Sequence, residues 1–110
     1  MGINFFNADY EARGCWKDGA SRVFQNLEGQ SSFLDGSYKA RTNAIQKCFQ
    51  AALEKDWELF ALQDGGQCFG SSNPSLNYKK LGKAEGRKCV DGKGGPMVNQ
   101  VYEMSKLITY

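Results

Sequence analysis

The sequence predicts an α+β domain: a small, twisted antiparallel sheet with one main helix packed across it, cross-linked by two disulfides. Three observations support this fold class: a helical apolar pattern in the middle of the chain, a short buried-strand pattern after it, and four cysteines. The 110 residues, with 41% hydrophobic and 24% charged side chains, have the composition of a globular protein. We therefore expect a single domain spanning residues 1–110.

The helix is the clearest local prediction. Asn43 is a good N-cap residue, and Gln46 follows three positions later, as in a capping box. We expect the helix to end near Lys55 or Asp56. Its apolar side chains recur with the spacing of one helix face: Ile45, Cys48, Phe49, Ala52 and Leu53.

The strands follow from shorter patterns. Residues 57–62 are too apolar for a half-exposed strand and too few for a second helix, which predicts a central strand covered on one face by the helix. Asp64 and two glycines turn the chain, and residues 67–70 return it as an antiparallel neighbour. The other predicted segments are an arm at 1–12 that carries Phe5 and Phe6, strands at 13–16, 21–24 and 97–104, loops at 25–42 and 71–96, and a tail at 105–110.

The four cysteines predict two disulfides, with four reduced core thiols as the alternative. There is no histidine and no C-x-x-C, which excludes the common zinc patterns and the thioredoxin-like redox motif. Four cysteines allow three pairings. A helix lying over a sheet favours Cys48–Cys68, and this leaves Cys15–Cys89. In the chain-entropy model, the two disulfides would stabilise the fold by about 3 and about 4 kcal/mol, respectively.

Disulfides also predict the compartment. They persist in oxidising surroundings, so we expect a secreted, extracellular protein. Residues 1–6 lack a basic region and a long apolar run, so we expect a mature chain whose leader has been removed. No apolar stretch approaches 18 residues, and we expect no membrane insertion.

Charge points to no particular partner. The net charge is +2, and we expect no nucleic acid to bind. One stretch is locally basic, which we interpret as a solvated loop, with a weak site for anionic glycans or phosphates as the alternative. Its cations are Lys79, Lys80, Lys83, Arg87, Lys88 and Lys93.

Catalytic chemistry is not indicated. Without histidine, a general base would have to be a carboxylate, lysine or tyrosine, and no nucleophile–base pair stands out. We therefore expect no enzyme, no cofactor and no metal. Asp18, Asp35, Asp64 and Asp91 each precede glycine and are interpreted as turn residues, with calcium or sugar-hydroxyl ligands as the alternative.

Sugar recognition requires an aromatic face beside amide, carboxylate or guanidinium groups that bind hydroxyls. Residues of these types occur in or near the predicted loops and turns. Each has a structural role as its alternative, and Arg22 is equally suited to pairing with Asp18 across the first turn. The candidate ligand-binding residues are Arg22, Tyr38, Asp64, Gln67 and Asn99.

Several short motifs together resemble a known family. They are Gly14-Cys15-Trp16-Lys17-Asp18 followed by Arg22, Cys48 on the helix, Leu34-Asp35-Gly36-Ser37-Tyr38, Gly65-Gly66-Gln67-Cys68-Phe69-Gly70, and Gly94-Gly95-Pro96 followed by Asn99 and Val101-Tyr102. Across residues 13–104 the chain resembles a WSC-type module, closest to the variants that recur in extracellular proteins of marine invertebrates. The resemblance implies a carbohydrate-binding domain whose helix-to-strand disulfide is similar to that of PAN/apple modules.

The leading functional hypothesis is a secreted lectin-like module that binds a glycan non-covalently. Single sugar sites are weak, so we expect several copies, either in a homo-oligomer or, as the alternative, in a multidomain parent from which this module was cut. The alternative hypothesis is a disulfide-linked protein-interaction or toxin/defence module, in which loops 25–42 and 71–96 face a protein receptor.

Overall fold

The structure, a computed structural model, describes the backbone of residues 5–109 and the side chains of residues 8–105. Over this part of the chain it forms one five-stranded sheet in the order β1-β5-β3-β4-β2, with every neighbouring pair antiparallel, and one α-helix. The α+β class predicted from the sequence is thereby confirmed. The elements are β1 (Phe5–Lys17), β2 (Gln25–Asn26), α1 (Ala44–Glu54), β3 (Leu59–Gln63), β4 (Gln67–Ser71) and β5 (Val98–Thr109).

The central strand, β3, is buried along all five of its residues. Phe60 and Leu62 face the core under α1, whereas Leu59 and Ala61 face a second core on the opposite side of the sheet. Loop residues such as Phe24 cover that second face. The near-continuous apolar run therefore reflects burial on both faces.

Helix α1 packs on the sheet through the predicted stripe. Cys48, Phe49 and Ala52 are buried, and the helix ends with Lys55 as its C-cap. The predicted side-chain cap is wrong: Asn43 is the N-cap residue, but its backbone is left-handed (φ +51°) and its side chain makes no capping hydrogen bond. Such bonds require an extended cap residue. No helix in the described part of the chain is long and apolar enough to cross a membrane.

The first and last strands are longer than predicted. β1 begins at Phe5 and β5 continues to Thr109, so the described parts of the predicted arm and tail pair with each other in one antiparallel ribbon. A bulge at Arg13 separates its two registers. Neither segment reveals this alone, because the partner lies about ninety residues away in sequence. Residues 1–4, Tyr110 and the side chains of Phe5 and Phe6 lie outside what the structure describes.

The predicted strand at 21–24 is wrong. The segment is bent, with Arg22 at φ +48°, and strand pairing begins only at β2. The reason is a side chain: Asp18 accepts hydrogen bonds from the backbone N–H groups of Gly19 and Val23. Val23 N–H is therefore already satisfied within the turn and is not needed for a ladder.

Both predicted disulfides are present. Cys48–Cys68 joins α1 to β4 with a Cα–Cα distance of 5.3 Å, and both residues are completely buried. Cys15–Cys89 joins β1 to the loop before β5 with a Cα–Cα distance of 6.0 Å. The helix-to-sheet bond lies in the main core, while the second bond lies in a smaller cluster at the end of the sheet.

Candidate ligand-binding site

A shallow hollow of about 310 Å³ opens where β3 ends and β4 begins. We call it the Gln63 hollow. Four of the five candidate residues predicted from the sequence line it, and the fifth lies beneath it. Its lining residues are Arg22, Tyr38, Gln63, Asp64, Gln67, Pro96 and Met97.

Gln63, the last residue of β3, is the centre of the site. It is 2% exposed, and its side-chain amide donates to Asp18 Oδ2 at 2.8 Å and to Asn99 Oδ1 at 2.9 Å. Its carbonyl oxygen accepts from Arg22 Nη1 at 2.7 Å. One buried amide thus connects β5 and the first turn to the end of β3, and every one of these contacts is long-range.

Asp18 carries the buried negative charge below the hollow. Its side chain is 2% exposed and accepts from the N–H groups of Gly19 and Val23, each at 2.9 Å. Burial by itself raises the pKa of this carboxyl, but the hydrogen bonds from Val23, Gly19, Gln63 and Arg22 outweigh it and hold the pKa below its usual value. Asp18 is therefore ionised at neutral pH.

Arg22 pairs with Asp18, as considered from the sequence, and it also lines the hollow. Nη1 contacts Asp18 Oδ2 at 3.3 Å and Gln63 Oε1 at 2.7 Å, which holds the first turn against β3. The guanidinium also lies 5.8 Å from the ring centroid of Phe69. The side chain is nevertheless 42% exposed, so a ligand in the hollow can reach it.

Tyr38 and Asp64 form the opposite wall. The Tyr38 hydroxyl donates to Asp64 Oδ2 at 3.0 Å, and this bond to the carboxylate raises the pKa of Tyr38. Asp64 has φ +52°, and its N–H donates to the carbonyl of Gly95 at 3.0 Å. The loop before β5 therefore fixes the β3–β4 turn, and Asp64 in that turn positions Tyr38.

Asn99 does not line the hollow. It is 1% exposed on β5, and its Oδ1 accepts from the Gln63 amide. Its place is structural, because it positions Gln63 from below. Gln67, by contrast, is half-buried and lines the hollow directly.

A second buried network supports the turn from the other side. The side chain of Arg41 is 1% exposed and donates through two nitrogens to the carboxylate of Glu28 at 2.7 and 2.8 Å. It also donates to the carbonyl of Gly66 at 3.2 Å, while Glu28 accepts from Cys68 N–H at 2.8 Å. These bonds hold residues 28–41, and with them Tyr38, against the start of β4. Arg41 Nε is buried without a hydrogen-bond partner in the described structure.

Sequence reasoning missed Gln63 as a site residue and missed the Arg41–Glu28 pair. Gln63 had one visible signal: it is a polar residue that ends a fully apolar strand, and a buried polar side chain is more informative than a buried apolar one. For Arg41 no local signal exists, because its partners are scattered across the chain. Of the four aspartates that precede glycine, Asp18 and Asp64 come together around the hollow, and the described residues hold no group of three or more metal-ligating side chains.

No protein-family model matches the chain, and no curated protein is similar to it in sequence.

Proposed function

We propose that the protein is a secreted, WSC-like carbohydrate-binding module that holds a glycan non-covalently in the Gln63 hollow. The observation that carries the proposal is the buried network under this hollow, in which Gln63 is held by Asp18 and Asn99. This network fixes the position of Arg22, whose side chain lines the hollow. The two disulfides favour an oxidising, extracellular location.

The lining groups match the chemistry of a sugar. Hydroxyl groups donate and accept hydrogen bonds, and the hollow offers the carboxylate of Asp64, the guanidinium of Arg22 and the amide of Gln67. Tyr38 and Met97 supply an aromatic ring and an apolar side chain for the C–H faces of the sugar. A volume of about 310 Å³ is at the lower end for small-ligand sites and suits a terminal sugar.

Preorganisation favours binding. Because Arg22 and Tyr38 are already hydrogen-bonded to Gln63 and Asp64, little side-chain freedom is lost when a ligand arrives. Gln63 itself has its donors and acceptor occupied within the protein, so its role is to position Arg22.

We further propose that the chain binds glycans and does not cleave them. Glycosidases use two carboxylates that face the substrate. Among the residues that line the hollow, Asp64 is the one carboxylate, and Asp18 is buried beneath it with four hydrogen bonds to the protein.

Self-association would raise the avidity of a weak site. β1 is thirteen residues long and is the outermost strand of the sheet, and residues 82–84 pair with its outer edge at residues 15–17. The part of this edge before residue 15 is the part that would pair with β1 of a second copy. We expect a dimer by light scattering over a concentration series. A strictly monomeric chain would require a multidomain parent or another scaffold to supply several copies.

The test is a glycan array probed with a multivalent sample, followed by calorimetry on each positive glycan. Tyr38→Phe and Gln67→Ala should weaken binding, while Tyr78→Phe, which changes a tyrosine that packs against Trp16 and Phe24 and does not line the hollow, should not. A folded multivalent sample that binds no glycan would overturn the proposal. Binding to a protein receptor in the same state would then favour the interaction or toxin/defence alternative.

A further inference from the structure

We infer that the glycan site extends into a second hollow that takes a negatively charged substituent, either a carboxylate or a sulfate, so that the ligands are acidic glycans. This rests on the proposed function. The second hollow measures about 250 Å³ and is called the Lys80 hollow here. Its lining residues are Gly19, Ala20, Ser21, Arg22, Val23, Lys80 and Leu81.

The two hollows are neighbours because Arg22 lines both of them. Its guanidinium is anchored by Gln63 and Asp18, which sets it at the boundary between the two spaces. A sugar in the Gln63 hollow can therefore extend a substituent past Arg22 into the Lys80 hollow.

The charges of the two hollows differ. The Gln63 hollow is lined by one cation, Arg22, and one anion, Asp64. The Lys80 hollow is lined by the cations Arg22 and Lys80, and none of its lining residues is a carboxylate. The buried carboxylate of Asp18 pairs with Arg22 at 3.3 Å and offsets the charge of that guanidinium, so the net positive charge of the Lys80 hollow comes from Lys80. The Lys80 hollow is thus the more positive part of the combined site.

The position of Lys80 is built into the fold. Lys80 and Leu81 lie in a tight turn closed by a hydrogen bond from Gly82 N–H to the carbonyl of Lys79 at 2.9 Å. The carbonyl of Gly82 accepts from Lys17 N–H at 3.0 Å, which attaches this turn to the end of β1. The Lys80 side chain forms no ion pair with any described residue, so its charge remains available to a ligand.

The basic stretch seen in the sequence does not act as a whole. Lys79 lies over the rings of Trp16 and Tyr78, at 5.3 and 5.8 Å from their centroids. Lys88 is exposed and lines neither hollow. Lys80 is the lysine that lines the hollow beside the candidate sugar site.

Leu81 gives the hollow an apolar side. It is 45% exposed, and a Cβ placed on Gly19 would lie 3.1 Å from its Cδ1. Gly19 therefore keeps open the space between the first turn and the 79–82 turn. The Lys80 hollow thus offers two cations to a charged substituent and one apolar contact to the sugar ring.

The experiment measures affinity for oligosaccharides in matched pairs, each with and without one sulfate or one uronic-acid carboxylate. Wild type, Lys80→Gln and the control Lys88→Gln are compared, each checked for folding by circular dichroism. We expect the charged member of a pair to bind about 5-fold tighter, as for a partly exposed ion pair, and less so at high salt. Lys80→Gln should abolish this preference and keep the affinity for the neutral member, while Lys88→Gln should preserve both.

The other outcomes separate the two proposals. Equal affinity for charged and neutral members, with binding still weakened by Tyr38→Phe, overturns the acidic-glycan inference and supports the proposed function. An equal loss of preference in Lys88→Gln also overturns the inference, because the effect would then come from overall charge. Free sulfate that displaces the charged glycan at equimolar concentration overturns it as well, since the sugar would contribute nothing. Absence of binding to every member overturns both proposals.

Discussion

The Arg22 guanidinium donates to the side-chain carbonyl of Gln63 across 2.7 Å, joining residues that are 41 positions apart in sequence. This bond holds the first turn against the end of the central strand. It also places Arg22 at the boundary of the two hollows, so the same contact contributes to stability and to the candidate site.

Gln63→Met should destabilise the fold and weaken ligand binding together. Methionine keeps the shape but removes the hydrogen bonds to Asp18 and Asn99, leaving buried acceptors unsatisfied at a cost of about 1–3 kcal/mol. Urea unfolding measures the free energy, and calorimetry measures the binding. Gln67→Met is the matched control: it should reduce binding while leaving stability within about 0.5 kcal/mol of wild type. Similar destabilisation by both substitutions would argue against a special role for Gln63.

Asp18→Asn should destabilise the protein by about 2 kcal/mol at neutral pH, because the hydrogen bonds to Asp18 are made to a charged acceptor. The folded-state pKa lies below the value of the unfolded chain, about 3.9. Ionised Asp18 therefore stabilises the fold above that pH, and this contribution is lost as the pH falls through the folded-state pKa.

The difference in the free energy of unfolding between wild type and Asp18→Asn should consequently become smaller in acid. Urea unfolding at about pH 7 and about pH 2 checks this. Asp35→Asn, the same change at an exposed aspartate that also precedes glycine, should have little effect at either pH. A difference that stays constant with pH would show that the charge of Asp18 contributes nothing to stability.

Glu28→Gln should destabilise strongly, by about 3–5 kcal/mol, because it leaves the buried guanidinium of Arg41 without its counterion, and Arg41→Met should cost less, because Glu28 is 19% exposed. The double variant should cost much less than the sum of the two, which a double-mutant cycle measures directly. The exposed pair Arg87–Glu85 is the control, and its cycle should give a coupling energy near the detection limit. If the effects of the two single substitutions simply added in the double variant, Arg41 and Glu28 would not interact energetically, which would contradict this prediction.

The two disulfides should be reduced in a fixed order. Cys15 and Cys89 are 4% and 8% exposed in a small peripheral cluster, whereas Cys48 and Cys68 are fully buried in the main core. Under native conditions, dilute dithiothreitol should open Cys15–Cys89 first, and Cys48–Cys68 only through global unfolding. Alkylation followed by mass spectrometry reports the order. Glycan binding should be lost when Cys48–Cys68 is reduced. Reduction of Cys48–Cys68 before Cys15–Cys89 would contradict the predicted order.

Gly94→Ala should destabilise more than Gly29→Ala. Both glycines have positive φ, at +70° and +79°, so each alanine costs about 1–2 kcal/mol in backbone strain. At Gly29 nothing lies within 4 Å of the added Cβ, but at Gly94 it would overlap the carbonyl of Leu62 and lie 2.7 Å from that of Val98. Thermal unfolding of the two variants isolates this steric difference, and equal effects would show that the loop before β5 can move away.

The sequence by itself determined the elements whose signal is local. The apolar spacing around Cys48 defined α1, the apolar run before Gln63 defined β3, and the glycines after Asp64 defined the turn into β4. Those elements in order also favoured Cys48–Cys68, because a helix over a sheet brings its inner face to the strand. Residue type selected four of the residues that line the Gln63 hollow.

Tertiary structure alone decided how these elements meet. The ribbon of β1 and β5 forms from segments at opposite ends of the chain, and the residue pattern of one segment does not indicate that the other is its partner. Asn99 lies beneath the hollow and Gln63 becomes its centre because hydrogen bonds between distant side chains, unlike helical spacing, leave no periodic trace in the sequence. For the same reason, Arg22 and Lys80 meet around one hollow only when the chain is folded.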